Sequence, residues 1–492
     1  VAHGAVMEQS TAVLTTAVPG LDTLLGGGLI TGTLAVVVGM PGAGKTILAS
    51  QIICQAVRAG SRALILTAYS EGHVKLIEHL RPFAFFDESM VGAELTMLSL
   101  QTVLGQDPDA AASVLVRTIR ESGASVVLID GFQGATDMFN DPRAIRRTMA
   151  ALATLLTYMQ VTLLITLEGR GRSEDMTNEL STADVVISLE YRVVGQLHTR
   201  QVDVIKQRGR APLAGLHPYD ITPDGVRIWP RIEELLLPPI RPHREERAAF
   251  GIAELDRLLQ GGLTTGANVI AGAPGAGKTT LGLHWALAGA TPDSASLIVS
   301  FAERPEQLCA KSSAFGLDLE AKIATGAVTV LRFSPVQIDP DRVAIQVLDA
   351  LTPSTTRLVV DDIAGVLLAL GARAGDYLAA LADHLYRAGV TSLFLLEIKA
   401  FVGLRFDVAS TPISLMADNV LIVQQVVAAG VLHRILAVLK MRYSVYDPTL
   451  RELILDQNGV QVRTPAETSP GVLTAAARGS GGIAPDAAPE DL

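Results

Sequence analysis

Cysteine is almost missing: the 492 residues hold two, Cys54 and Cys309, with no C-x-x-C pair. A disulfide scaffold and a cysteine-ligated zinc module are therefore not expected, and a reducing compartment fits. Aromatic residues make up 4% of the chain, which leaves few platforms for stacking single-stranded bases. Basic charge is in deficit, with a net charge of −10, and this argues against a general nucleic-acid backbone binder while leaving room for a local basic groove. Arg143, Arg146 and Arg147 read as a solvated helix face. The nine histidines show no metal-ligand spacing, so His73 and His79 read as surface residues.

Long apolar runs are scarce as well. The longest uncharged stretch, Thr148 to Leu167, carries several threonines and Gln160. It divides into a helix to about Met159 and a β-rich Val161–Thr166, which a helix leading into a buried strand explains better than a bilayer span. The matching stretch of the second half is broken by Arg373, Asp376, Asp383 and Arg387. No basic segment precedes an apolar one at the N-terminus, so the expectation is a cytoplasmic protein without membrane contact.

What the chain has is 49% apolar residues, enough for large cores, and an internal repeat. Gly20-Leu-Asp-Thr-Leu-Leu-Gly-Gly-Gly-Leu-Ile-Thr-Gly32 returns in altered form as Gly251 to Gly266. Gly39-Met-Pro-Gly-Ala-Gly-Lys-Thr46 returns as Gly272-Ala-Pro-Gly-Ala-Gly-Lys-Thr279, Val127–Asp130 as Leu358–Asp361, and Lys206-Gln-Arg208 as Lys440-Met-Arg442, at offsets of 233, 231 and 234. A near-constant offset means a duplicated domain. The expected organisation is an N-terminal extension at 1–12, a first domain at 13–240 and a proline-rich charged linker at 241–247. A second domain at 248–463 and a disordered tail at 464–492 complete it. Apolar strands are expected near 34–39, 62–67, 125–130, 161–166 and 184–189, and again near 267–272, 296–301, 357–361, 391–396 and 419–424. Continuous apolar strands separated by helices predict an α/β fold, each copy a mostly parallel sheet flanked by helices.

Both copies satisfy G-x-x-x-x-G-K-[ST] after a strand and before a helix. In that pattern Gly39, Gly42, Ala43 and Gly44, and likewise Gly272, Gly275, Ala276 and Gly277, turn backbone amides toward phosphates at the positive end of a helix. Lys45 and Lys278 would reach the β- and γ-phosphates, and Thr46 and Thr279 would place a hydroxyl on Mg²⁺. Two matches at the repeat offset remove coincidence, so a nucleotide with Mg²⁺ is the expected ligand. Asp130 and Asp361 end apolar strands, where a carboxylate can hold Mg²⁺ through water or simply cap a turn; Asp362 could join the same ion. Glu168 and Glu397 follow later strands as γ-phosphate sensors or as surface carboxylates.

These residues resemble the RecA-like ATPases, and most closely the double-domain KaiC family of circadian clock proteins. The resemblance covers roughly 13–463 and rests on the G-[LI]-x-x-L and GG-L-x-x-G elements before each phosphate loop, Lys206-Gln-Arg-Gly209 ahead of His217-Pro-Tyr-Asp-Ile-Thr222, Ser414-Leu-Met-Ala-Asp-Asn419 and Leu436–Arg442. It implies two tandem RecA-like P-loop NTPase domains and a homo-hexamer of stacked rings with ATP between neighbours. By the same resemblance Lys206, Arg208, Lys440 and Arg442 reach the γ-phosphate of an adjacent subunit, and His217 contacts nucleotide. Tyr443 stands where the family usually has glycine.

The family's two adjacent glutamates are where this chain departs most. Ser300-Phe-Ala-Glu-Arg-Pro305 keeps the second as Glu303, with Ala302 at the first. Thr67-Ala-Tyr-Ser-Glu-Gly72 has Tyr69 and Ser70 in ungapped register, while an offset of 232, supported by Phe83 and Phe315, sets Glu71 opposite Glu303. Glu303 and Glu71 are thus the expected catalytic bases. Of the family's Ser-Thr phosphorylation pair, Ser414 remains and Leu415 replaces the threonine, with Ser410 and Thr411 out of register. The expectation is a Mg²⁺-dependent ATPase of signalling type with signalling proteins as partners, Ser414 being a candidate autokinase acceptor and a complete two-site phosphorylation cycle not expected. A RecA-type DNA-repair ATPase and a non-hydrolysing ATP-binding scaffold are the alternatives.

Overall fold

The computed structural model describes residues 12–67, 73–104, 111–132, 150–152, 154, 156–170, 180–194, 197–242, 247–336, 338–398, 416–442, 444–456, 459–464, 467–468 and 471–472. Glu71, Tyr69, Ser70, Arg143, Arg146, Arg147, Ser410, Thr411, Ser414, Leu415 and Tyr443 lie outside the described residues. The chain forms two compact units, residues 1–235 and 236–492.

Each unit is built on a nine-stranded sheet. In the first, the strands lie side by side as Leu95–Ser99, Ala63–Thr67, Val126–Asp130, Thr162–Glu168, Leu34–Gly39, Val185–Val194, Leu197–Gln207, His217–Thr222 and Gly225–Ile228. The pairings run parallel as far as Val185–Val194 and antiparallel beyond it. The second sheet repeats the plan with Val328–Arg332, Ala295–Ser300, Thr355–Asp361, Thr391–Glu397, Gly266–Gly272, Asn419–Ala428, Val431–Met441, Arg451–Asp456 and Gly459–Arg463. These are tandem RecA-like α/β units.

All ten expected strands are present. Their continuous apolar sequence follows from burial on both faces. Ala35 and Val37 face one core with Ile52 and Ile53 of helix Lys45–Arg58, whereas Leu34, Val36 and Val38 face another with Leu115, Ile119, Leu152 and Leu156. The two-residue period of a strand divides one apolar run between two cores. The outer parallel strands Leu95–Ser99 and Val328–Arg332 were not anticipated. They are short and only partly buried, so their sequences carry a weak apolar signal.

The uncharged stretch ending at Leu167 resolves as expected: its described residues from 150 to 159 are helical and Thr162–Glu168 is a strand. In the second unit the helical stretch 364–387 is long and apolar enough to cross a membrane by length and composition. It is interrupted by the turn Gly371–Arg373, buries Tyr377, Leu378, Leu381 and Leu385, and sends Arg373 to the buried Asp341 at 3.0 Å. Packing also continues past residue 463: Thr468 and Val472 are buried, and Val472 sits with Ala428 and Ile435.

Candidate nucleotide sites

In each unit the glycine-rich loop leaves a central strand, Leu34–Gly39 or Gly266–Gly272, and opens a helix at Lys45 or Lys278. The strand's neighbours come from distant parts of the chain, which places the loop in the crevice at the carboxyl ends of the sheet. Gly44 and Gly277 set the entry to the helix. Their φ values are 91° and 102°, and an added Cβ would lie 2.5 Å from Ile221 Cδ1 or 2.7 Å from Leu455 Cδ1. A Cβ on Gly42 would meet no described residue within 4 Å.

Lys45 Nζ donates to the carbonyls of Gly39 (2.9 Å) and Met40 (3.2 Å), and Lys278 Nζ to those of Gly272 and Ala273 (3.0 Å each). Each ammonium is thereby held at the loop. Burial lowers both lysine pKa values, opposed by Glu168 and Asp130 in the first unit and by Glu397, Asp362 and Asp361 in the second. Glu168 and Glu397 thus stand beside the loop lysines, with Glu397 Oε2 3.9 Å from Lys278 Nζ.

The strand-terminal aspartates meet the loop threonines. Thr46 Oγ1 lies 3.0 Å from both carboxylate oxygens of Asp130, and Thr279 hydrogen-bonds Asp361. Asp130 has a further partner that sequence reasoning missed: Thr166 Oγ1 donates to Asp130 Oδ1 at 2.7 Å and accepts from Gly131 N at 2.7 Å. The second unit has Leu395 at the matching register. Burial raises both aspartate pKa values. In Asp130 the Thr166 and Thr46 hydrogen bonds oppose it; in Asp361 the charges of Glu303 and Asp362 add to it, and the group is pushed up to about 6. Asp362 Oδ1 accepts from the backbone of Ala364 and Glu397, both at 3.1 Å, so it braces the neighbouring strand ends. Among the described residues no three His, Cys, Asp or Glu side chains form a metal-holding group. A hydroxyl beside one carboxylate is instead a donor set that would suit Mg²⁺.

The KaiC ATPase family model matches the chain twice, over residues 14–233 and 248–467. The chain belongs to the KaiC family. Its curated relatives include the circadian clock oscillator protein KaiC of Picosynechococcus sp., 24% identical over 476 residues that span 91% of this chain and 89% of that protein. KaiC 1 of Synechocystis sp. is 25% identical over 476 residues, covering 91% and 88%. The circadian clock protein KaiC3 of Synechocystis sp. is 24% identical over 480 residues, covering 94% and 93%.

Within this KaiC-family frame, the Lys-x-Arg pairs lie at the wrong end of the sheet for their own loops. Lys206 pairs with Val186, and Val186 with Val36, three residues before the loop begins at Gly39. In the second unit Lys440, Val420 and Val269 repeat that offset from Gly272. Three residues along the strand and two strands across place Lys206 about 14 Å from Gly39 on the side away from the loop. There Lys206 Nζ donates to Ser181 O (2.7 Å) and Arg208 pairs with Asp184 (3.3 Å), while Lys440 Nζ donates to Ala417 O (2.7 Å) and Arg442 pairs with Asp418 (3.4 Å). His217, by contrast, is a structural residue. It is fully buried, its Nδ1 accepts from Arg231 N at 3.0 Å, and its backbone pairs with Val202. The expectation of a nucleotide contact from His217 is not met.

Proposed function

We propose that this KaiC-family ATPase binds ATP with Mg²⁺ at both loops and completes each site with Lys206 and Arg208, or Lys440 and Arg442, from a neighbouring copy in a hexameric ring. The observation that carries this reading is the strand register that sets both Lys-x-Arg pairs on the side of the sheet away from their own loop. A cation pair that cannot serve its own phosphate is suited to serve another's, where it offsets charge developing in the transition state.

Thr46 with Asp130, and Thr279 with Asp361, would hold Mg²⁺, which would supply charge neutralisation to the bound phosphates. Lys45 and Lys278 orient those phosphates, and the loop amides bind them. In the second unit Glu303 acts as general base: its charge bears on Asp361, and its Oε2 is buried without a hydrogen-bond partner among the described residues, ready to accept a proton from water. Glu71 is the matching assignment in the first unit by sequence offset alone. The names of the relatives support a regulatory role of clock type; signalling proteins as partners belong to the same proposal.

The experiment is to incubate the full chain with Mg²⁺ and ATP, then read assembly by native mass spectrometry, turnover by phosphate release and phosphate on Ser414 by peptide mapping. Ring assembly with turnover lost in a Lys45→Ala/Lys278→Ala double variant is the expected result. Absence of both nucleotide binding and assembly would refute it. Turnover in the intact chain no higher than in the double variant would leave an ATP-binding scaffold. DNA-stimulated turnover would restore the DNA-repair reading. Phosphate on Ser414 assigns the autokinase activity to the second unit.

A further inference from the structure

The phosphate loop of the second unit has an ion pair beside it that no motif accounts for. Lys311, on helix Pro305–Ala314, hydrogen-bonds Glu303 Oε1 through Nζ. The backbone of Glu303 is fixed as well: its N–H donates to Ser300 Oγ at 3.2 Å, and that hydroxyl donates to the Glu303 carbonyl at 2.9 Å. Oε2 is buried and has no hydrogen-bond partner among the described residues. Both ends of the pair act on Asp361, Glu303 raising its pKa and Lys311 lowering it, so the pair faces the strand end that meets Thr279. One carboxylate oxygen is engaged and the other waits for a donor. A buried acceptor left empty costs free energy that an incoming O–H would recover.

We propose that Lys311 is the positioning residue for hydrolysis in the second unit, fixing Glu303 by one oxygen so that the other receives the proton of the attacking water. The proposal rests on the reading of Glu303 as base. In the step, the water oxygen bonds to the γ-phosphorus while Glu303 Oε2 takes its proton. The bond from the γ-phosphorus to the β–γ bridging oxygen breaks, and ADP departs with that electron pair. With alanine at 302, no carboxylate stands next to Glu303 in the sequence, and Lys311 supplies the contact that holds its carboxylate. A carboxylate that rotates freely loses the alignment on which general-base catalysis depends.

The test uses the full-length chain, taking second-unit turnover as the part of total turnover that Lys278→Ala abolishes. Lys311→Met is expected to lower that kcat by about 10–100-fold with the KM for ATP within about twofold, and Lys311→Arg to recover most of the loss. Wild-type kcat in Lys311→Met overturns the proposal. A kcat loss accompanied by an equal rise in KM, without recovery in Lys311→Arg, also overturns it, because it signals a merely structural role. Glu303→Gln separates the two readings. If Glu303→Gln is slow while Lys311→Met is fast, positioning by Lys311 alone fails; if Glu303→Gln retains wild-type second-unit turnover, the base assignment fails and the proposal with it.

Discussion

Asp361 carries the clearest energetic cost in the molecule. Burial, with the charges of Glu303 and Asp362, pushes its carboxyl up to about 6 from 3.8, against the Thr279 hydrogen bond and the Lys311 charge. A shift of about two units corresponds to about 3 kcal/mol between protonation states. The direction follows from linkage. The folded chain holds the proton more tightly than the unfolded one, so stability falls as pH rises from about 4 to about 6, and the full cost remains at pH 7.5. Asp361→Asn removes the charge and keeps an acceptor for Thr279. Without nucleotide or Mg²⁺, it should stabilise the second unit by about 2–3 kcal/mol at pH 7.5 and by close to nothing at pH 4. Trp285 is fully buried in the second unit, and the other tryptophan, Trp229, lies in the first. Urea titration followed by fluorescence in a Trp229→Phe background therefore reports the second unit. Equal effects at pH 4 and pH 7.5, or destabilisation at pH 7.5, would refute the reasoning. Adding Mg²⁺ and ATP should reverse the order, because only the wild type retains its carboxylate for the metal.

The first unit's loop is held from behind by Tyr219, whose buried hydroxyl donates to Ala43 O at 2.5 Å. Tyr219→Phe should cost about 1–3 kcal/mol in stability and weaken ATP binding at the first loop while leaving the second unchanged, as measured by nucleotide titration in a Lys278→Ala background. Gly277→Ala should weaken binding at the second loop by about tenfold, because a φ of 102° strains alanine by about 1–2 kcal/mol even where Leu455 Cδ1 can move aside; titration of a Lys45→Ala background checks it.

Much of this was legible in the sequence because duplication printed each signal twice. The central strands are buried on both faces, so Leu34–Gly39 and Gly266–Gly272 read as unbroken apolar runs, and the phosphate loops follow them directly. Contacts that depend on folding were hidden. Thr166 looks like any strand threonine until parallel pairing brings its strand beside that of Asp130. Lys311 becomes a partner of Glu303 only when helix Pro305–Ala314 returns over the strand end. His217 misled in the other direction: the family resemblance implied a nucleotide contact, yet the residue pairs with Val202 in the sheet and its side chain is fully buried. The placement of Lys206 and Lys440 away from their own loops likewise emerges only from strand register.

The central claim, that each ATP is completed by a second copy of the chain, is tested most directly by mixing two variants. Lys45→Ala/Lys278→Ala lacks loop lysines but keeps its Lys-x-Arg pairs; Lys206→Ala/Arg208→Ala/Lys440→Ala/Arg442→Ala has the reverse defect. Each should be inactive alone, and the mixture should regain turnover in rings that contain both. Turnover in the Lys-x-Arg variant alone, or none in the mixture despite joint assembly, would contradict the account.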